Sequence, residues 1–298
     1  MKRVIRVGTR ESALAMAQSK WVINEIKKKF PRYEFELVGI RTSGDMLLDV
    51  RLDKIGGKGL FIKELENALI NKSIDIAVHS MKDLPAQLPE ELTIAAISRR
   101  EDPRDALISI KHERLEQLEP GAVIGTSSLR REIQLLQMKP GLNFKTLRGN
   151  VLTRLDKLAG NEFDAIVLAV AGLKRLGIED KCRQVFSVEE IIPAVGQGAL
   201  GIETRRDEDI GYLLESVHHE ESALAVKGER AYMIKLNGGC STPVAAHAVI
   251  EKDRMKICGI FAPEDKSRVW RATVEGNKYD AAALGEKLAA LITEGRGE

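Results

Sequence analysis

Three stretches of the chain bring hydroxyls, guanidinium groups and free backbone N–H groups together, which is the chemistry of anion capture. Thr9-Arg10-Glu11-Ser12 and Thr126-Ser127-Ser128-Leu129-Arg130-Arg131 each sit where a strand-like apolar run gives way to helical periodicity. Arg148-Gly149-Asn150 closes a further strand-like run in the same way. At a helix N-terminus the first N–H groups lack partners and the dipole favours negative charge, while arginine can add paired hydrogen bonds to a carboxylate. Hydroxyl capping beside solvated arginines explains any one junction taken alone. Three such junctions at converging strand ends point to a bound anion.

Other residues carry chemistry of a different kind. His79, Ser80 and Asp83 suggest a hydrolase triad, but neighbours on an extended strand face opposite sides and no GxSxG elbow is present. Asp83 beside Lys82 reads either as a surface ion pair or as a carboxylate set among cations at a site mouth. Gly56-Gly57-Lys58-Gly59 lacks the spacing and terminal hydroxyl of a P-loop, which leaves a mobile lid or a simple turn. The histidines (His79, His112, His218, His219, His247) show no metal-ligand spacing, so no metal is expected. Asn237-Gly238-Gly239-Cys240 puts a thiol at a tight turn, either as a small buried hydrophobe or as an accessible nucleophile.

The elements that must position these groups alternate. Strand-like runs at 4–7, 35–40, 74–78 and 93–97 are separated by helical periodicity over 12–30 and at Phe61, Leu65 and Leu69. A charged, proline-bearing stretch at 99–105 reads as an interdomain crossing, after which the pattern restarts. Strands are expected at 122–125, 144–147 and 165–170, and helices at 129–138 and 151–158. Such alternation favours largely parallel sheets with crossover helices, whose ligands bind at the carboxyl ends of the strands. From 222 onward a helix, strand-like runs at 244–250, 255–261 and 269–274, and a helix at 279–292 suggest a small α+β domain.

Composition narrows the function classes. The 298 residues carry 46 Lys+Arg against 44 Asp+Glu and only 4% aromatics, so neither a nucleic-acid platform nor an anionic-membrane surface is expected. Three widely spaced cysteines exclude a disulfide framework and suit a reducing compartment. With no signal-peptide pattern and no long apolar run, the expected location is the cytoplasm.

Taken together, the motifs closely resemble the porphobilinogen deaminase family, also called hydroxymethylbilane synthases. The resemblance rests on VGTRESALA at 7–15, GGKGLF at 56–61, DIAVHSMKDLP at 75–85, REDPRDA at 100–106 and IGTSSLRR at 124–131. It continues through LRGNV at 147–151, LAVAGLKRLG at 168–177, PAVGQGALGIE at 193–203 and NGGCSTPVAAHA at 237–248.

The resemblance implies an α/β fold: two doubly wound, periplasmic-binding-protein-like domains around a cleft, with a small α+β C-terminal domain. Its implied boundaries are 1–98 with 199–217, then 99–198, then 218–298. It implies a monomeric transferase of tetrapyrrole biosynthesis that joins four porphobilinogen molecules head to tail into hydroxymethylbilane, releasing ammonia. The growing chain is built on a covalent dipyrromethane cofactor, held by a thioether to Cys240. Asp83 is the implied catalytic residue, stabilising positive charge on an azafulvene and shuttling protons. Lys82, Asp83, Thr126, Ser127, Ser128, Arg130, Arg131, Arg148 and Gln197 are the implied cofactor contacts. Arg10, Ser12, Ser80, Arg154 and Arg175 are the implied substrate contacts, and the Gly56–Gly59 loop the implied lid. The competing reading is a non-catalytic, two-lobed anion-binding protein, which explains the arginines but neither Asp83 nor the turn thiol.

Overall fold

The computed structural model describes residues 4–46, 62–238, 243–263 and 268–295. The Gly56–Gly59 loop and Cys240 lie outside the described residues. The chain opens with β1 (Val4–Arg10), α1 (Ala13–Lys29), β2 (Glu34–Ile40), the single-turn α2 (Ser43–Met46), α3 (Lys63–Ile70), β3 (Ile76–Ser80) and β4 (Leu92–Ile97). β5 (Asp105–Ile108), β6 (Val123–Gly125), α4 (Leu129–Met138), β7 (Asn143–Lys145) and α5 (Val151–Ala159) follow. Next come β8 (Ala165–Ala169), α6 (Val170–Leu176), β9 (Gln184–Val185), β10 (Leu200–Arg205) and α7 (Gly211–Leu214). The last elements are α8 (Glu220–Lys235), β11 (Val244–Glu251), β12 (Arg254–Phe261), β13 (Trp270–Asn277) and α9 (Ala281–Glu294).

Local sequence explains the first unit. Val4, Ile5 and Val7 favour extended backbone, and Ile5 and Val7 are buried in β1. The strand ends at Arg10, and Ser12 starts α1 by accepting a hydrogen bond from the Ala15 N–H at 3.3 Å. Val22, Ile23 and Ile26 form the helix stripe that packs on Val7, Ile76 and Val78 of the sheet. Full burial of each such side chain contributes roughly 1.5–3 kcal/mol. Lys27, Lys28 and Lys29 complement the helix dipole at its C-terminal end.

Two five-stranded sheets share one design. The first has the order β2-β1-β3-β10-β4 and the second β7-β6-β8-β5-β9. In each, three strands run parallel, and a fourth, β10 or β5, pairs antiparallel beside them. That fourth strand is in each case the first strand after the chain has crossed over from the other sheet. The structure therefore combines sheet–helix α/β units with a small α+β unit, as expected. The sheets are more mixed than a purely parallel reading allows. Pairing of β10 between β3 and β4 requires a strand that local periodicity did not reveal.

The crossings lie side by side. The Ser98 N–H donates to the Leu200 carbonyl at 2.9 Å, and the Glu101 N–H donates to the Gly198 carbonyl at 3.1 Å. Gly198 has φ +92°, and a Cβ there would lie 2.3 Å from the Glu101 carbonyl oxygen, so only glycine lets these segments approach.

The third unit is the antiparallel sheet β11-β12-β13 covered by α8 and α9. Its core is formed by Tyr232, Met255, Ile257 and Leu288, and the buried Tyr232 hydroxyl donates to the Ile260 carbonyl at 2.8 Å. Glu229 of α8 ties this unit to both crossings. Its carboxylate accepts from Arg100 Nη1 and the Gly196 N–H, each at 2.7 Å, and from the Ala248 N–H at 2.8 Å.

His247 of β11 lies against the same arginine, its Nδ1 3.0 Å from Arg100 Nη1. Burial, opposed by Glu229 and reinforced by Arg100, pushes the imidazole down to about 4 from its ordinary 6.5. The unfolded chain thus binds the proton more readily than the fold between those values, so this contribution to stability is complete above pH 6.5 and is lost as pH falls through about 4. The full difference is on the order of 3 kcal/mol. His247→Gln should therefore flatten the fall in melting temperature between pH 7 and pH 4.5. Parallel curves for both proteins would refute this assignment.

Candidate functional site

A cleft of about 560 Å³ opens between the two large sheets and is lined from both sides and from the crossing between them. The first unit contributes Arg10 at the end of β1, Ser12 at the α1 N-terminus, and Ser80, Lys82 and Asp83 beyond β3. From the second come Ser127, Arg131, Arg148, Arg154 and Arg175, while Gln197 comes from the crossing. These are strand ends and helix starts, so the hydroxyl–arginine junctions do face one space.

The wall is charged well beyond neutrality. Among the described residues, Arg10, Arg41, Lys82, Arg131, Arg148, Arg154 and Arg175 line the cleft, against Glu11 and Asp83 as carboxylates. Burial pushes the Lys82 ammonium down to about 8, with Arg131 and Arg130 adding repulsion against the pull of Asp83 and Asp105. Burial likewise brings Arg154 to about 10, aided by Arg131, Arg148 and Arg10 and opposed by Asp83. Arg175 also falls to about 10 through burial, opposed by Glu101. Desolvated cations that repel one another are stabilised by an incoming anion.

Several predicted groups are held by the protein itself. Ser80 Oγ accepts from Gln18 Nε2 at 2.9 Å, and Ser127 Oγ donates to the Leu147 carbonyl at 2.8 Å. Arg154 Nε donates to the Gly149 carbonyl at 2.8 Å, and Arg175 Nη2 to the Gly198 carbonyl at 2.6 Å. These bonds aim the side chains and leave other nitrogens for a ligand. Asp83, in the helical turn after β3, is exposed to the cleft.

Three predicted contacts are not brought to the wall. Thr126 is buried and its Oγ1 accepts from the Ser128 N–H at 3.1 Å, which shapes the turn, and Ser128 stands at the N-cap of α4. Neither lines the cleft. Arg130 also does not: its Nη1 donates to the Ile192 carbonyl at 2.8 Å and its Nη2 pairs with Asp105 at 2.7 Å. The two adjacent arginines of α4 thus diverge, because successive helix positions point about 100° apart. Arg131 reaches the cleft and Arg130 serves the interior.

Asp105 is the important residue that sequence reasoning missed. It is fully buried at the start of β5 and pairs with both arginines. Burial alone would raise its carboxyl, but the flanking guanidiniums overcome this and hold it well below the usual carboxylate range. In the sequence it closes a run of solvated-looking charges, Arg100-Glu101-Asp102-Pro103-Arg104-Asp105, and only the apolar Ala106-Leu107-Ile108 that follows hints at burial. His79, by contrast, turns away from any triad: its Nε2 lies 2.9 Å from Glu203 Oε2 in the first unit's interior.

Among the described residues no group of three or more His, Cys, Asp or Glu is placed to hold a metal ion. No helix among them is long and apolar enough to cross a membrane.

Comparison with known proteins supplies the family. Residues 5–211 match the family described as "Porphobilinogen deaminase, dipyromethane cofactor binding domain", and residues 223–294 match "Porphobilinogen deaminase, C-terminal domain". A porphobilinogen deaminase of Pelotomaculum thermopropionicum is 50% identical over 100% of this chain and 96% of its own length. That of Bacillus subtilis is 48% identical over 99% of this chain and 94% of its own. Among solved structures, the methionine binding protein MetQ is similar at 16% identity and a TM-score of 0.48, over 75% of this chain and 94% of that one.

Proposed function

The chain belongs to the porphobilinogen deaminase family, and on that premise we propose how its cleft works. The family reaction is that of a transferase in tetrapyrrole biosynthesis, which condenses porphobilinogen stepwise and head to tail into hydroxymethylbilane with release of ammonia. The family relationship favours this reading over a purely solute-binding protein. The observation that carries our account of the site is the excess of desolvated cations facing Asp83 and Glu11 across the cleft.

The residues present fit a dipyrromethane cofactor. Its acetate and propionate groups need cationic, hydrogen-bonding walls, and Arg131 presents a buried Nε that has no hydrogen-bond partner among the described residues. In this reading Arg131, Arg148, Ser127, Lys82 and Gln197 hold the cofactor, and Cys240 anchors it. When bound, the group supplies the electron-rich ring carbon at which the incoming unit is joined.

Arg10, Ser12, Ser80, Arg154 and Arg175 receive the substrate carboxylates. Arginine suits this task because its planar fork matches a carboxylate and stays charged after desolvation. As the substrate's C–N bond breaks and ammonia leaves, positive charge spreads into the substrate ring. Asp83 opposes that charge where it develops and can carry a proton to the leaving amine. Asp83 already stands on the cleft wall before the bond breaks, so the opposing group need not be assembled during the reaction.

The domain division at 1–98 with 199–217, 99–198 and 218–298 is part of the same proposal, supported by the pairing of β10 with β3 and β4. We read the enzyme as a cytoplasmic monomer, for which the unpaired thiols of Cys182 and Cys258 suit a reducing compartment. Near-neutral net charge supports a small-molecule substrate rather than a nucleic acid.

The activity has a direct test. Incubation with porphobilinogen should release one ammonia per molecule consumed and give uroporphyrin after acid oxidation. Saturable binding without ammonia would leave only the solute-binding reading.

A further inference from the structure

Asp105 stands apart from the other acidic residues of the cleft region because it touches the cleft only through other side chains. Its Oδ1 accepts from Arg131 Nη2 at 2.6 Å and from Gln197 Nε2 at 3.0 Å, and its Oδ2 lies 2.7 Å from Arg130 Nη2. Arg131 and Gln197 line the cleft, whereas Asp105 is fully enclosed. We propose that Asp105 is a positioning residue that sets the direction of the Gln197 amide, so that its carbonyl oxygen faces Lys82, while holding Arg131 at the wall. This rests on the site as proposed above.

The argument is one of donors and acceptors. Gln197 Nε2 donates to Asp105 and also to the Pro103 carbonyl at 2.6 Å. Both of its N–H bonds are therefore spent, and the oxygen must point the other way. There it meets Lys82 Nζ at 3.5 Å, across from the second unit to the first. A carboxylate only accepts, so a flipped Gln197 amide would set oxygen against oxygen at Asp105 and –NH₂ against the Lys82 ammonium. The charge on the fully buried Asp105 makes the first mismatch costly, and the charge on Lys82 makes the second so.

Asparagine at 105 lifts that restriction, because its own amide can donate to a flipped Gln197. Lys82 then loses an acceptor and a distant carboxylate together, while Arg130 and Arg131 remain and Asp83 alone still opposes them. Its ammonium becomes harder to keep charged. Arg131 loses its ion pair with Asp105 and keeps its bond to the Val167 carbonyl, 2.9 Å from Nη1, so it is held less firmly at the wall.

The test uses full-length holoenzyme and does not depend on turnover. Lys82 acetylation by acetic anhydride is followed against pH by peptide mass, beside KM and kcat for porphobilinogen. Asp105→Asn should move the Lys82 midpoint down by about one pH unit, while KM stays within about threefold of wild type because the residues it positions hold the cofactor. Gln197→Met, which keeps the carboxylate between its arginines, should move the midpoint the same way and decides the matter if Asp105→Asn does not fold. An unmoved midpoint in Gln197→Met, or in folded Asp105→Asn, overturns the proposal. The two readings fail separately: normal turnover of Asp83→Asn removes the site reading, and an unmoved Lys82 midpoint removes this one.

Discussion

Asp83→Asn is expected to fold, to carry its cofactor, and to lose roughly 100- to 1,000-fold in kcat. Asparagine copies the shape and removes only the charge. The side chain faces the cleft rather than the core, so the substitution takes nothing from the packing beneath it, where Met81 and Leu84 are the buried members of the same segment. What disappears is a carboxylate on a wall whose described residues are dominated by arginine and lysine. Without it, that wall repels the positive charge that forms as ammonia departs. Substrate binding should change little, since the carboxylate-binding arginines remain, so KM should stay near wild type while kcat collapses. Circular dichroism and intact mass establish that fold and cofactor are retained. A variant that passes both checks and turns over at the wild-type rate eliminates Asp83 from the chemistry.

The second large effect concerns Cys240. Wild-type protein should weigh more than its sequence by one dipyrromethane unit, and Cys240→Ser should match its sequence mass and fall to background activity. Tethering the primer converts a meeting of two solutes into a reaction within one molecule, and losing that advantage costs on the order of 10⁵-fold or more. Only the thiolate is a strong enough nucleophile to make the thioether, which is why serine, nearly the same size, cannot replace it. Adding a few equivalents of substrate should then give wild-type species heavier by successive single rings. Full activity from unmodified wild-type protein would be incompatible with the anchor.

How much of this was legible beforehand followed from how local each feature is. β1, α1 and the first strand–helix junction were readable because a period of two changes to one of 3.6 across a few residues, with Ser12 marking the boundary. β8 and α6 ran together: Ala165 to Leu173 is nearly all apolar, and no glycine or proline separates the strand from the helix that starts at Val170. β10 escaped because it is buried along its whole length and carries Glu203 and Arg205, residues that a sequence pattern assigns to solvent. Arg205 is satisfied there by the Leu69 and Ile74 carbonyls, each at 2.7 Å, partners more than a hundred residues away.

The site divided along the same line. Which junctions bear arginines is a matter of composition and short-range turns, and those residues do converge. Which of two neighbouring arginines faces the cleft depends on partners distant in the chain: Arg130 and Arg131 both pair with Asp105, and Arg130 also bonds the interior Ile192 carbonyl. Apart from the apolar Ala106-Leu107-Ile108 that follows, nothing near Asp105 in the chain distinguishes a buried carboxylate from one that faces water.

The paired crossings carry one more consequence. A single covalent strap would let the lobes swivel as well as bend, but here two straps are cross-tied by the Ser98–Leu200 and Glu101–Gly198 bonds. Swivelling would shear those ties, whereas bending leaves them intact. Relative motion is thereby confined to something like a book opening along its spine. Opposed residues on the two faces would then part without sliding past one another.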